Sequence, residues 1–492
     1  MIRARPDAAA VAAAVVFAAG LGVAALAVWL RAGPRVPVEI RVPGLDGRAE
    51  KMAAAAASAA AAEPPIVIGE LFERLADAEP RAGSPWPMFR GPRGDNVADS
   101  TMSLLGGRPD DPLVERWSVE LGEGYAGPAI FAGRVYLLDY DEARRADLLR
   151  CWTLEDGREL WRRGYRVHIK RNHGMSRTVP AVTDRFVVTI GPRAHVMAAD
   201  PVSGEFLWGL DLERDYGAQV PPWYTGQCPL LDGDAVILAP AGPDALLMAV
   251  DGRTGAIRWR APNPRGWRMS HASVLAAALA GRRQFVYAAA GGVAGVAADG
   301  PDAGALLWET AEWAPSVVAP SPIALDGERV LLTAGYAAGG AVLRVARDGD
   351  RFDARIVERY GPTEGLSSEQ HTPILRDGYL FAILTKDAGP LRNQFAAYRA
   401  DDLREPVWTS GRAARFGLGP YLLADGKFYV LNDDGTLVVA RARADAYEEL
   451  SRRRVLAGRE AWAPPAFSDG RLLLRDSRRM ICLDLRAPEA TP

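Results

Sequence analysis

The chain has 492 residues, of which 49% are hydrophobic and 24% charged, so it can bury a large core. Its 59 basic and 61 acidic residues leave a formal charge of -2, and without a basic excess we expect no nucleic-acid partner. The 50 glycines, 36 prolines and 13 tryptophans favour many short strands joined by tight turns.

The cysteines and histidines exclude several kinds of site. The three cysteines, Cys151, Cys228 and Cys482, are far apart, so they predict neither a disulfide framework nor a metal motif. The five histidines lack the helical spacing of a zinc protease.

The first predicted element is an apolar helix at Ala8–Leu30, a run of about 23 residues without a charge that is long enough to span a bilayer. A cleaved secretory signal is the alternative. The run ends in Val-Trp-Leu and Arg31 rather than in the small residues of a cleavage site, which favours an uncleaved anchor. Trp29 also suits a membrane interface. Residues 1–31 are therefore predicted to be a signal anchor.

The charges beside this helix bear on its orientation. Arg3 and Arg5 favour a cytoplasmic N-terminus, although Arg31 and Arg35 on the other side weaken that preference. No cysteine lies near the helix, which excludes a lipoprotein anchor. We expect a single pass through the inner (cytoplasmic) membrane, with the remainder of the chain in the periplasm or another extracytoplasmic space.

Residues 32–85 are predicted to be a spacer rich in alanine and proline. The alanine tract Ala53–Ala62 is compatible with either a helix or disorder. The segment Ile66–Ala78 predicts a short amphipathic helix with Leu71 and Phe72 on its apolar side.

A repeat then marks the rest of the chain. The stretch MAADPVSGEFLW, Met197–Trp208, returns as MAVDGRTGAIRW, Met248–Trp259, with an Asp, a Gly and a Trp four residues apart in both copies. Tryptophans 117, 161, 208, 259, 308 and 408 follow one another at intervals of 44, 47, 51, 49 and 100 residues, and a degenerate copy around Val357 divides the last interval. This period is typical of a four-stranded propeller blade.

Eight blades are predicted between residues 86 and 492. They begin near Ala126, Thr178, Gly226, His271, Ala319, His371, Gly417 and Trp462. The last blade reaches the end of the chain with three strands. We expect Glu115–Leu121 to supply its fourth strand, since such a closure pairs the two chain ends and removes the open edges of the array.

The repeated motif itself predicts architecture rather than chemistry. Gly204 and Gly255 fall where two outer strands reverse, and a tight turn there needs a positive φ. Asp200 and Asp251 can accept hydrogen bonds from the amides of that turn. The Trp is expected to be buried between neighbouring blades.

These repeats resemble the tryptophan-docking motifs of propellers of the pyrroloquinoline quinone (PQQ) type. That superfamily includes quinoprotein alcohol dehydrogenases and a scaffold lipoprotein of outer-membrane barrel assembly. The stretch SPWPMFRGPRGDNVA, Ser84–Ala98, resembles the lead-in of PQQ-like repeat proteins without an assigned activity. The resemblance covers about residues 86–486 and implies an all-β, eight-bladed propeller.

A propeller usually binds its ligand at the mouth of the central channel, on loops that lead into the innermost strands. Polar and aromatic side chains concentrate just before the predicted blades. The candidate binding residues are Asn172, His173, Arg177, Trp223, Tyr224, Gln227, Ser270, His271, Glu369, Gln370, His371, Arg415 and Trp462. The alternative is that each side chain caps its own loop and satisfies buried backbone groups. Three of the histidines fall at equivalent positions, but a metal site would require them to converge, and none is predicted.

The resemblance also implies the parts that a quinoprotein dehydrogenase needs: a Trp floor, an Asp base, Ca²⁺ and often two adjacent cysteines. This chain has no adjacent cysteines and no Asp in the funnel segments, where Glu369 and Glu460 are the carboxylates. Basic groups outnumber them, which favours an anionic ligand such as PQQ, a sugar acid or a phosphate. PQQ therefore stays open as a cofactor, whereas calcium-dependent dehydrogenation is disfavoured.

The leading functional hypothesis is a membrane-anchored, extracytoplasmic propeller that binds a ligand or acts as a scaffold for envelope proteins. The alternative is a quinoprotein-type oxidoreductase with PQQ or another anionic cofactor in its funnel.

Overall fold

The computed structural model describes residues 7–32, 66–100, 102–171 and 174–486. The chain divides into two units, Met1–Pro65 and Ile66–Pro492. In the first unit, α1 (Ala8–Ala32) confirms the predicted helix, and its stretch Ala12–Trp29 is apolar and long enough to cross a membrane by length and composition. The predicted alanine tract lies outside the described residues.

The second unit begins with three strands that join blades formed much later in the chain. They are β1 (Leu71–Arg74), β2 (Val97–Ala98) and β3 (Val114–Glu120).

The described strands of this unit form eight sheets. Blade 1 contains β4 (Ala129–Phe131), β5 (Arg134–Asp141), β6 (Ala146–Thr153) and β7 (Glu159–Arg166), and blade 2 contains β8 (Ala181–Val182), β9 (Val187–Ile190), β10 (His195–Ala199) and β11 (Phe206–Asp211). Blade 3 contains β12 (Leu230–Asp232), β13 (Ala235–Leu238), β14 (Leu247–Asp251) and β15 (Ile257–Ala261). Blade 4 contains β16 (Leu275–Leu279), β17 (Arg282–Ala289), β18 (Gly292–Ala297) and β19 (Leu306–Thr310). A short helix, α2 (Leu212–Tyr216), follows blade 2.

Blades 5 to 8 complete the ring. Blade 5 contains β20 (Ile323–Ala324), β21 (Arg329–Ala334), β22 (Gly339–Asp348) and β23 (Arg351–Tyr360), and blade 6 contains β24 (Ile374–Arg376), β25 (Tyr379–Ile383), β26 (Phe395–Arg399) and β27 (Asp402–Thr409). Blade 7 contains β28 (Tyr421–Ala424), β29 (Lys427–Leu431), β30 (Thr436–Arg441) and β31 (Glu449–Arg454). Blade 8 contains β32 (Ala466–Ser468), β33 (Arg471–Arg475) and β34 (Arg479–Asp484). A 3₁₀ turn at Gly389–Leu391 lies inside blade 6. The all-β, eight-bladed propeller is therefore confirmed.

The predicted closure is also confirmed. The N-terminal strand β3 pairs antiparallel with β34 and so becomes the outer strand of blade 8. Trp117 of β3 is 8% exposed, and its indole nitrogen donates to the carbonyl of Leu154 in blade 1 at 2.9 Å. The ring thus closes through hydrogen bonds between the two ends of the propeller.

The repeated Asp, Gly and Trp have the structural roles expected of them. The carboxylate of Asp200 accepts the amides of Val202 and Ser203 at 2.9 and 2.7 Å, and Gly204 has a φ of +75°. Trp161 of blade 1 packs on this turn of blade 2, where a Cβ on Gly204 would lie 2.6 Å from its ring. Trp117, Trp208 and Trp259 pack in the same way on Gly157, Gly255 and Gly304, so four of the repeat tryptophans dock on the glycine turn of the next blade.

One expected element is different. The segment Ile66–Ala78 does not form an amphipathic helix, because β1 extends within it and pairs antiparallel with β7 at the outer edge of blade 1. Leu71 to Arg74 alternate between half-buried and exposed, which is the period of a strand. The edge of β7 offers unpaired backbone groups, and their hydrogen bonds outweigh a short helix that has no partner of its own.

The lead-in segment Ser84–Ala98 crosses one end of the central channel. It contacts the inner strands of opposite blades before β2 pairs in parallel with β28 of blade 7. In chain order its bonds join Trp86 to Ile130 in blade 1, Pro87 to Val182 in blade 2, Arg90 to Pro373 before blade 6, and Asn96 to Tyr421 in blade 7. The segment therefore plugs this end of the channel.

Candidate functional site

A cavity of about 280 Å³ lies on the channel axis, bounded by residues from all eight blades. Most of these residues precede the innermost strand of their blade, so the cavity is a funnel. Its lining includes, from blades 1 to 8, Tyr125, Arg177, Trp223, His271, Ala319, His371, Leu418 and Trp462. Phe89 of the lead-in segment also lines it and provides its floor.

The structure brings together seven of the thirteen predicted binding residues. The seven are Arg177, Trp223, His271, Glu369, Gln370, His371 and Trp462. Asn172 and His173 lie outside the described residues.

The remaining predicted residues do not line the cavity and are used by the fold itself. Gln227 is buried and bonds the backbone of Ala239 through both of its amide atoms, at 2.7 and 3.1 Å. The hydroxyl of Ser270 donates to the carbonyl of Ala288 at 2.6 Å. Both side chains satisfy backbone groups at the ends of the second strands, β13 and β17, which is the capping role that the sequence left open.

Tyr224 and Arg415 lie at the rim. The hydroxyl of Tyr224 donates to the carbonyl of Lys170, and the guanidinium of Arg415 donates to that of Pro390 at 3.4 Å. These bonds tie loops together.

The walls of the funnel are aromatic. Trp223 stacks on Tyr336 with ring centroids 5.9 Å apart and an interplanar angle of 16°. Trp462 lies 5.0 Å from the ring of Tyr125. Trp223 has a φ of +64°, a conformation that is uncommon for a bulky residue and that clusters at ligand sites. The cavity therefore presents flat apolar faces on at least two sides.

Arg177 contributes a cation to the funnel wall. Its guanidinium donates to the carbonyls of Trp223 and Gly174 and lies 5.0 Å from the centre of the Tyr125 ring. Burial lowers its pKa, but an arginine remains charged at neutral pH. These contacts hold the cation in a fixed position beside the aromatic faces.

The two histidines of the funnel are neutral at physiological pH. Burial, with the nearby charge of Arg177, lowers the pKa of His271 to about 4. Burial, with the nearby charge of Arg90, lowers the pKa of His371 to about 4 as well. The nearby backbone of Pro222 for His271, and of Leu418 and Trp462 for His371, acts in the opposite direction and raises the pKa. In both rings Nε2 is buried and has no hydrogen-bond partner among the described residues. A neutral imidazole bonded through its other nitrogen offers this atom as an acceptor.

The carboxylates around the funnel are already engaged. Glu369 forms an ion pair with Lys386 and accepts the hydroxyl of Thr385 at 3.2 Å. Glu460 accepts the hydroxyl of Tyr125.

Asp433 supports the wall from behind. It accepts the indole N–H of Trp462 and the amide of Leu418, both at 2.9 Å. Burial raises the pKa of Asp433. The carboxylate thereby orients one aromatic face of the funnel.

The basic character expected from the sequence is thus weaker in the structure. Arg171 pairs with Glu123 at 2.6 Å, Lys386 pairs with Glu369, and both described histidines of the funnel are neutral. Arg177 also lines the cavity and is held there by its bonds to backbone carbonyls.

The described residues do not fit the calcium and quinone chemistry of the dehydrogenases. No group of three or more His, Cys, Asp or Glu in the described ranges has the geometry to hold a metal ion. The cysteines are buried in separate blades, and Glu369 is neutralised by its lysine. An Asp base beside a calcium ion therefore has no counterpart here.

Three aromatic lining residues were not among the predicted ones. Tyr336 belongs to the turn between β21 and β22, Tyr125 lies before the first blade, and Phe89 comes from the lead-in segment. The signals available were the placement of Tyr125 just before Ala126 and the family resemblance of the lead-in.

Comparison with known proteins agrees with this architecture. The family described as "Outer membrane protein assembly factor BamB" matches residues 145–401. A quinohemoprotein alcohol dehydrogenase from Comamonas testosteroni is 12% identical with a TM-score of 0.55, covering 83% of this chain and 82% of that one. A europium-containing methanol dehydrogenase is 11% identical with a TM-score of 0.55, covering 81% and 89%.

A BamB structure from Moraxella catarrhalis is 13% identical with a TM-score of 0.49, covering 77% of this chain and 99% of that one. No curated protein matches the chain. At these identities the structural likenesses show the fold alone.

Proposed function

The chain belongs to the family described as outer membrane protein assembly factor BamB, and on that premise we propose that it is a membrane-tethered propeller of the cell envelope whose funnel binds a small cyclic anion. The observation that carries the proposal is the convergence of segments from all eight blades on one aromatic cavity. It contains a fixed guanidinium and two imidazole nitrogens that have no hydrogen-bond partner in the described part of the chain. Loop caps alone would not require such a convergence.

The lining defines the ligand chemistry. The faces of Trp223 and Trp462 favour a flat or ring-shaped body. The guanidinium of Arg177 favours a carboxylate, because charge-assisted hydrogen bonds are strong where water is excluded. Nε2 of His271 and of His371 would accept hydrogen bonds from hydroxyl groups of the ligand. A hydroxylated ring carboxylate, such as a sugar acid or a hydroxybenzoate, satisfies all three features.

The helix α1 and the family membership support a position in the envelope. As an uncleaved anchor, α1 would hold the propeller at the inner membrane on its extracytoplasmic side. There the propeller would be available to an envelope protein partner. The binding of that partner would depend on whether the funnel contains its ligand.

Thermal unfolding of the full-length protein in detergent tests the proposal. The panel contains galacturonate, 3,4-dihydroxybenzoate and PQQ, with galactose and catechol as uncharged controls. A ligand at a hundred times its Kd stabilises by about 2.7 kcal/mol. With an unfolding entropy of about 2.1 cal/mol/K per residue, this corresponds to a rise of about 3 °C in Tm for a unit of roughly 430 residues.

Two variants make the test specific. We expect Arg177→Gln to lose the shift, whereas Arg415→Gln at the rim keeps it. The proposal fails if no ring carboxylate raises the Tm, or if the Arg177→Gln protein responds like wild type. A quinone absorbance that stays with the protein and bleaches when an alcohol is added would instead establish the oxidoreductase alternative.

A further inference from the structure

A second compartment lies on the channel axis beneath the floor of the funnel. It has a volume of about 210 Å³, and Phe89, Cys228 and Ser273 line both cavities. The lead-in segment supplies one wall, from Met88 to Gly94. The inner strands of blades 3, 4 and 5 supply the other, beginning at Cys228, Ser273 and Ser321. None of its lining residues is an aspartate or a glutamate.

A buried cation faces this compartment. Arg90 is 7% exposed and donates through one Nη atom to the carbonyl of Pro373 at 2.9 Å. Its Nε is buried and has no hydrogen-bond partner among the described residues. Arg90 forms no ion pair with a described carboxylate; Asp95 acts on its charge from a greater distance and is itself paired with Arg93. Burial lowers the pKa of Arg90 to about 10, so the guanidinium stays charged at neutral pH.

Hydroxyl donors line the opposite wall. They belong to a chain of bonds between blades, in which the amide of Cys228 donates to Oγ of Ser273 at 2.9 Å and the amide of Ser273 donates to Oγ of Ser321 at 3.3 Å. Each hydroxyl therefore accepts one amide through a lone pair, and the O–H of Ser273 also lies beside the thiol of Cys228, whose pKa is raised by burial and lowered by this hydroxyl. Both side chains line the compartment.

We infer that this lower compartment is an anion site, in which the guanidinium of Arg90 and the hydroxyls of Ser273 and Ser321 bind a small anion such as a halide or a simple carboxylate. A buried charge is strongly disfavoured unless it is paired, and a polar wall of donors without a carboxylate leaves an anion as the matching partner. A water molecule would bond the same donors but would not neutralise the cation.

The site adjoins the funnel, since Phe89, Cys228 and Ser273 line both cavities, but it does not depend on the function proposed for the funnel. It takes an ion rather than a ring, and its cation comes from the lead-in segment rather than from a blade. Binding there would hold that segment in the channel by linking Arg90 to blades 4 and 5.

Crystals of the full-length protein soaked in sodium bromide test the inference directly. We expect an anomalous bromide peak within hydrogen-bond distance of Arg90 and of one of the two serines. The inference is overturned if the compartment contains water only while bromide occupies surface positions.

A solution measurement uses paired variants. At constant ionic strength, bromide, acetate or phosphate should raise the Tm of wild type in a saturable way, and the three salts identify the preferred anion. Arg90→Gln should abolish this response. Arg134 provides the matched control, because it is 3% exposed and also donates to a single carbonyl, that of Ala78. Arg134→Gln should lower the Tm yet keep the anion response.

A second variant covers the case in which Arg90→Gln does not fold. Ser321→Ala removes one hydroxyl and should weaken anion binding about tenfold, since a hydrogen bond to a charged group contributes at least that factor. Equal responses in wild type and Ser321→Ala, or equal loss in the Arg90 and Arg134 variants, would refute the site.

Discussion

The buried imidazoles of His271 and His371 predict how the propeller responds to acid. An unfolded histidine has a pKa of about 6.5, whereas burial lowers the pKa of each of these two to about 4. Because the unfolded state binds protons more readily, stability is fully present above pH 6.5 and is lost progressively as the pH falls to 4. A shift of this size corresponds to about 3 kcal/mol for each histidine.

Urea unfolding of wild type and His371→Gln between pH 8 and pH 4 measures this contribution. Glutamine does not titrate, so the difference in unfolding free energy between the two proteins should change by about 3 kcal/mol over this range. The buried Asp147, whose pKa burial raises to about 6, has the opposite effect and is present in both proteins, so it cancels. The exposed His168, changed to Gln, controls for the loss of a surface histidine. Parallel pH profiles for wild type and His371→Gln would refute the reasoning.

Three further predictions concern the ring and the tether. Trp117→Ala should lower the unfolding free energy by about 3–5 kcal/mol, because it removes a buried indole at the closure, and a loss below about 1 kcal/mol in urea unfolding would contradict that role. Gly204→Ala should destabilise the protein clearly more than Gly233→Ala. Both glycines have a positive φ, but a Cβ atom at position 204 would lie 2.6 Å from the Trp161 ring, whereas a Cβ atom at position 233 would have no neighbour within 4 Å. Equal thermal shifts would show that Trp docking is not the cause. Deleting residues 1–32 should move the protein from the membrane fraction to the soluble fraction, and an unchanged distribution on immunoblots would contradict the anchor.

The repeated motif explains why the fold was predictable. The copies at Asp200 and Asp251 each carry a turn, an amide-binding Asp and a Trp that docks on the next blade, so local sequence and global architecture agree in these repeats. The closing strand was predictable for the same reason, since three strands at the end of the chain require a fourth. The edge strand β1 was not, because Leu71 and Phe72 fit a short helix equally well until the free edge of β7 is known.

The candidate site was predictable only where it follows the repeat. Arg177, Trp223, His271, His371 and Trp462 all precede an inner strand, so the blade period marks them. Gln227 and Ser270 share that position, yet they bond carbonyls at the ends of β13 and β17, and only side-chain geometry distinguishes the two roles.

Residues of the site that lie outside the repeats could not be predicted from the blade period. Phe89 reaches the floor of the funnel because the lead-in segment crosses the channel, and Arg90 beneath it is brought there in the same way. The charge of the funnel could not be predicted from the sequence either, because the neutral state of His371 depends on its burial and on the charge of Arg90.

The central claim is that the funnel binds a small cyclic anion, and a crystal structure of the full-length protein soaked with galacturonate or 3,4-dihydroxybenzoate tests it most directly. The account predicts a ring packed against Trp223 or Trp462, its carboxylate on Arg177 and a hydroxyl on Nε2 of His271 or His371. Ligand density confined to the outer surface of the blades, with the funnel occupied by water alone, would contradict it.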